Sequence, residues 1–147
     1  MRIKNNQYLI SPSDLNNFIS CKYIFKNNIR FLNKEIEKKS ETIDQKIRKK
    51  FGIDHEERHF NILKKKYKSH TIIRTDSDEN QRAKDTIAAM DRGFEFIYHA
   101  YFVDKQFRGE ADFLIKIDKP SKKWKYSYEV YDTKISRKIK PRHAQQI

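Results

Sequence analysis

A single cysteine, three glycines and three prolines are all that this chain of 147 residues holds of the types that staple, bend or break a backbone. Cys21 stands alone, so an internal disulfide is excluded, and one thiol cannot by itself hold a structural zinc. No run approaches the roughly twenty apolar residues of a membrane-spanning helix. The opening residues also lack the pattern of an export signal, which leaves a cytoplasmic setting as the default expectation. No internal repeat appears, and the length suits one domain with one core.

What is present is charge. Lys plus Arg number 33 against 20 Asp plus Glu, a net charge of +13 with a pI near 9.7. That is the electrostatic footprint of a polyanion binder. Abundant Lys, Asn and Ile with little Gly or Pro is equally what an AT-rich coding sequence produces, so the total does not decide. Position is more pointed: Lys134, Arg137, Lys138, Lys140 and Arg142 crowd together near the C-terminus, whereas Lys46 to Lys50 and Lys64-Lys65-Lys66 fall on expected helices as solvated faces. With 37% of residues hydrophobic and 36% charged the core must be compact, and ten Phe and eight Tyr help because each ring buries a large area.

Ser11-Pro12-Ser13-Asp14 is a helix-start signal, with Leu15, Phe18 and Ile19 on one apolar face, and a further helix follows. From Thr42 to Tyr67 the apolar positions Ile43, Ile47, Phe51, Phe60 and Leu63 recur at helical intervals, with Gly52 expected to mark a break or close packing. Thr71 to Arg74 reads as a short strand, Asp76-Ser77-Asp78 as a turn, and Asn80 to Arg92 as a helix closed by Gly93. Three strands are then expected, from Phe94 to Val103, Phe107 to Ile117 and Lys125 to Ile135, the last two separated by Asp118, Pro120 and Ser121. The expected class is mixed α/β, with an N-terminal helical segment over 1–40 and a core over 41–147.

The last two strands carry the chemistry, Gly109-Glu110-Ala111-Asp112 on one and Tyr128-Glu129-Val130-Tyr131-Asp132-Thr133-Lys134 on the other. Strand alternation places Asp132 and Lys134 on one face with Thr133 pointing away. If Asp112 projects to that face, two carboxylates and an ammonium converge, an arrangement that needs a cation and suits Mg²⁺ or Mn²⁺. Alternation also puts Glu110 on the Asp112 face, and Glu129 opposite Asp132 as a structural partner for a lysine.

This arrangement resembles the PD-(D/E)xK nuclease superfamily, and its neighbours narrow the resemblance to RecB-type nucleases. Ser11-Pro12-Ser13-Asp14-Leu15 through Cys21 looks like the opening helix of that group, and Gly52-Ile53-Asp54-His55-Glu56-Glu57-Arg58 like its Gly-x-x-His-Glu motif. Phe107 to Leu114 and Tyr128 to Lys134 follow in order, and Lys140-Pro141 leading to Gln146 looks like the start of a Gln-x-x-x-Tyr helix. The resemblance implies a restriction-endonuclease-like core that hydrolyses DNA in repair, recombination or processing, often joined to a superfamily 1 helicase. It implies His55, Asp112 and Asp132 as metal ligands, the Thr133 carbonyl as a further one, and Lys134 as the catalytic lysine. Gln146 would contact DNA or brace the site, and Glu56 and Glu110 would support the ligands. Arg137, Lys138 and Lys140 would meet phosphates. An imidazole among oxygen ligands tilts the preference toward Mn²⁺.

In that family the last helix carries a tyrosine four residues after the glutamine and a strand follows, so a C-terminally incomplete core is expected. Cys21 reads as a small buried hydrophobe. It also matches the first cysteine of RecB-type nucleases that hold a 4Fe-4S cluster, whose other ligands would require a chain longer than Ile147. Two other functional readings stand beside the nuclease. One is a nucleic-acid-binding module that has lost catalysis. The other is a zinc metalloprotease, because His55-Glu56-Glu57-Arg58-His59 satisfies H-E-x-x-H. It lacks an evident third ligand downstream.

Overall fold

Two three-residue strands open the chain in a computed structural model that describes residues 1–4 and 6–136. Strand β1 (Arg2–Lys4) pairs antiparallel with β2 (Gln7–Leu9). This hairpin lies where only helix was expected, because strands so short leave no period to read. Helix α1 (Pro12–Ser20) follows, its first turn closed by the buried Asp14, whose Oδ2 accepts from the Ser11 amide at 2.9 Å and hydroxyl at 2.6 Å. An extended Cys21 separates it from α2 (Lys22–Leu32), and Phe18 meets Phe25 edge to face at 5.3 Å.

Helix α3 (Ile43–Lys66) starts at a reciprocal cap in which Thr42 Oγ1 accepts from the Gln45 amide and Gln45 Oε1 from the Thr42 amide. It runs through Gly52 without interruption, and a Cβ there would meet nothing within 4 Å. The expected break or close packing is therefore absent. One glycine costs a helix about 1 kcal/mol relative to alanine, which neighbouring turns and a packed C-terminal half outweigh. The lysines of Lys46 to Lys50 and Lys64 to Lys66 are exposed, as solvated faces should be.

Strand β3 (His70–Ile72) begins one residue earlier than the expected Thr71 and ends two before Arg74, and the His70 imidazole stacks on Phe96 at 5.0 Å. Helix α4 (Glu79–Arg92) is capped by Asp78 and ends on Gly93 in the left-handed conformation, φ 73°. Strands β4 (Phe96–Asp104), β5 (Phe107–Ile117) and β6 (Ser127–Tyr131) complete a four-stranded sheet of order β3-β4-β5-β6, with β3 parallel to β4 and the rest antiparallel. The described chain is thus mixed α/β with one more sheet strand than the three consecutive ones. No helix among the described residues is long and apolar enough to cross a membrane.

The sheet is covered on both faces. Ile97, Ala100, Ala111 and Leu114 pack with Ile73 and with Ala89 of α4, while Phe96, Phe113 and Ile115 pack with Leu63 and Phe60 of α3. In β4, Phe96 and Tyr98 serve the α3 side, and Ile97, Ala100 and Phe102 the α4 side, so the alternation changes phase at His99. In β5, Phe113 and Ile115 face α3 whereas Ala111 and Leu114 share the α4 side, a phase change at Asp112. The pairing of Tyr98 with Phe113 and of Ala100 with Ala111 sets these two residues opposite one another.

Candidate functional site

Asp112 is half-buried in the middle of β5, and its Oδ2 accepts from the Thr133 amide at 2.8 Å and hydroxyl at 3.0 Å. Those bonds end β6. A backbone amide given to a side chain is withheld from the ladder, so pairing stops at Tyr131 opposite Phe113 rather than continuing to Ile135. Asp132, Thr133 and Lys134 consequently lie beyond the strand. Thr133 does not point away from the acids as alternation would have it; its hydroxyl turns onto Asp112.

The convergence itself is present, by a different route. The Asp132 carboxyl reaches Asp112, and Lys134 Nζ is paired with Asp132 Oδ2. Burial pushes the Asp132 carboxyl above the ordinary carboxylate range against the pull of Lys134, and the Asp112 charge beside it adds to the rise. A pair of adjoining carboxylates of which one resists ionisation is a donor set that fits a hard divalent cation. The third expected ligand is not gathered with them. His55 is half-buried on α3, and among the described residues no three His, Cys, Asp or Glu side chains stand together as a metal-holding group.

Glu110 is engaged by α4 and β4. Its Oε1 lies 2.8 Å from Arg82 Nη2 and 3.4 Å from His99 Nδ1. The hydrogen bond from His99 and then the Arg82 guanidinium, working against partial burial, hold Glu110 down at about 2. Glu56 of α3 approaches the same imidazole at 3.8 Å, and its Oε1 is buried. Burial and that carboxylate together push the Tyr98 hydroxyl upward. His59 is committed elsewhere, its ring edge-on to Phe113 at 5.4 Å.

A cleft of about 250 Å³ lies where Ser11, Ser13, Arg108, Glu110, Asp132 and Lys134 meet. The start of α1 is fastened there because the Ile10 amide donates to the Gln106 carbonyl at 2.7 Å and the Arg108 amide to the Ile10 carbonyl at 2.9 Å. A larger hollow of about 450 Å³, at Asn17, Asn27, Phe31 and Ile36, contains none of these acids. Cys21 is a half-buried free thiol between α1 and α2. Arg137, Lys138, Lys140 and Gln146 lie outside the described residues.

His99 and Arg82 were not singled out by sequence. Arg82 looks like one more cation on a charged helix, and His99 like one position of an aromatic strand; only the carboxylates they meet distinguish them. No protein-family model, no curated protein and no solved structure matches this chain.

Proposed function

We propose that this chain is a metal-dependent DNA nuclease of the RecB-like type, on a restriction-endonuclease-like core, acting in DNA repair, recombination or processing beside a helicase. The observation that carries the reading is the meeting of Asp112, Asp132 and Lys134 just past the end of β6. Asp112 and Asp132 would hold Mg²⁺ or Mn²⁺ with the Thr133 carbonyl, and the resemblance adds His55. An ion bound there would polarise a phosphodiester and acidify a water. Around it, Thr133 orients Asp112 through two hydrogen bonds. Lys134 supplies an ammonium where charge grows on the phosphate. The net charge of +13 supports a polyanionic substrate. A DNA-binding module without catalysis is the second reading, favoured because among the described residues His55 does not join the two aspartates in a metal-holding group.

Digestion of labelled single- and double-stranded DNA with Mg²⁺ or Mn²⁺ tests the proposal. Asp112→Asn, Asp132→Asn and Lys134→Ala should each slow cleavage by about 10² to 10³ while leaving DNA affinity in place. His55→Ala should impair cleavage and His59→Ala should not. Binding without cleavage under either metal would favour the second reading. Zn²⁺-dependent peptide hydrolysis lost equally in both histidine variants would instead return the protease.

A further inference from the structure

The backbone of His99 takes φ 57°, a left-handed conformation, in the interior of β4. Three other non-glycine residues among those described do likewise, and each has a local cause. Asn6 and Lys105 stand in the turns of β1-β2 and β4-β5, and Lys34 just past the end of α2. His99 has none, since β4 continues beyond it in the same register with β5. Its effect is the change of phase. With strict alternation, Leu114 in the α4 layer would draw Asp112 into that layer beside Ile73 and Ala89, an apolar surrounding in which burying a carboxylate is costly. The shift instead frees Asp112 for Thr133. The imidazole closes the break, resting on the Tyr98 ring at 3.7 Å with Nδ1 directed between Glu110 and Glu56.

We propose that His99 is a positioning residue for the site: its left-handed backbone turns Asp112 out of the α4 layer and onto Thr133 and Asp132. The inference rests on the nuclease reading for what the acid pair does, and not for where Asp112 lies. Asn and Gly accept a positive φ, whereas a β-branched residue strongly resists it. Backbone and imidazole are therefore separable.

The experiment compares the 147-residue chain with His99→Asn, His99→Gly and His99→Val. It reads the Thr133 amide by NMR shift and hydrogen exchange, because that amide reports Asp112 directly, and Mn²⁺-dependent DNA cleavage alongside. Asn and Gly should keep the Thr133 signature and cleavage. Val should lose the signature and cut slower by about 10²-fold, the loss that an ångström-scale misplacement produces. Should Val fail to fold, His99→Ala carries the same comparison, since alanine also disfavours the left-handed region. A parental Thr133 signature in the folded Val or Ala variant overturns the proposal. So does a signature lost as fully in Asn and Gly as in Val. A parent that cuts no DNA with either metal, while Thr133 follows the expected order, removes the nuclease reading and leaves the positioning role standing.

Discussion

Thr86 is fully buried and its hydroxyl is used twice, donating to the Arg82 carbonyl at 2.9 Å and accepting from the Tyr101 amide at 2.9 Å. It thereby ties α4 to the strand that carries His99. Arg82, one turn earlier, lies over the Tyr101 ring at 4.5 Å and grips Glu110. Thr86→Val keeps the shape but strands the Tyr101 amide, which should cost about 1–3 kcal/mol. Thr86→Ser keeps the hydroxyl and should cost less. Denaturant midpoints at constant slope measure both, and a Val variant as stable as the parent would deny the bond its role. Threonine on a helix gives no such hint in sequence, because an outward-facing one looks the same.

At the scale of elements, two glycines make opposite predictions. Gly52 lies inside α3 with open space around its Cβ position, so Gly52→Ala should raise stability by about 0.5–1 kcal/mol. Gly93 ends α4 at φ 73°, and a Cβ there would stand 3.1 Å from Tyr126 Oη, whose hydroxyl donates to the Met90 carbonyl at 2.8 Å. Gly93→Ala should lower stability by about 1–2 kcal/mol from the left-handed backbone alone. Thermal melts of the two variants should move in opposite directions. A loss in Gly52→Ala would mean that α3 is not continuous there. The Gly93 cap was readable because it ends a run of helix formers, whereas Gly52 carries the same letter and only packing tells the two apart.

For the whole molecule, acid acts through carboxylates displaced in both directions. Burial pushes Asp14 up, but the N-terminal ammonium and the Ser11 hydroxyl and amide outweigh it and leave the group below its ordinary value of 3.8. Glu110, near 2 against an ordinary 4.5, is lowered as well. Depressed carboxylates stabilise the fold above their unfolded values and lose that contribution as pH falls through the folded ones. Stability should therefore drop below pH about 4, less steeply in Asp14→Asn. Asp132 has the opposite sign: its raised value favours the fold as pH falls toward the carboxylate range, a gain that Asp132→Asn should erase. Denaturant unfolding from pH 3 to pH 7 separates the two, and an Asp132→Asn profile parallel to the parent would contradict the pairing with Asp112. Salt tests the net charge of +13. The slope of log K against log salt should be about −0.9 per phosphate contact on duplex DNA and flatten when Arg137, Lys138 and Lys140 become Ala together. An unchanged slope would place the DNA-binding surface elsewhere.

The sequence by itself determined the bounds of β5, the body of α3 and α4, the lysine-rich solvated faces and the closeness of Asp132 to Lys134. All of these depend on periods, caps and turn formers within a few residues. Tertiary structure alone decided the end of β6, the turning of Thr133 onto Asp112, the pairing of Glu110 with Arg82 and the phase change at His99. The physical reason is range. Asp112 competes for the Thr133 amide from 21 residues away, and Arg82 claims Glu110 from 28. Alternation says which side chains share a face only while the backbone stays extended, and one left-handed residue reverses the answer for everything beyond it.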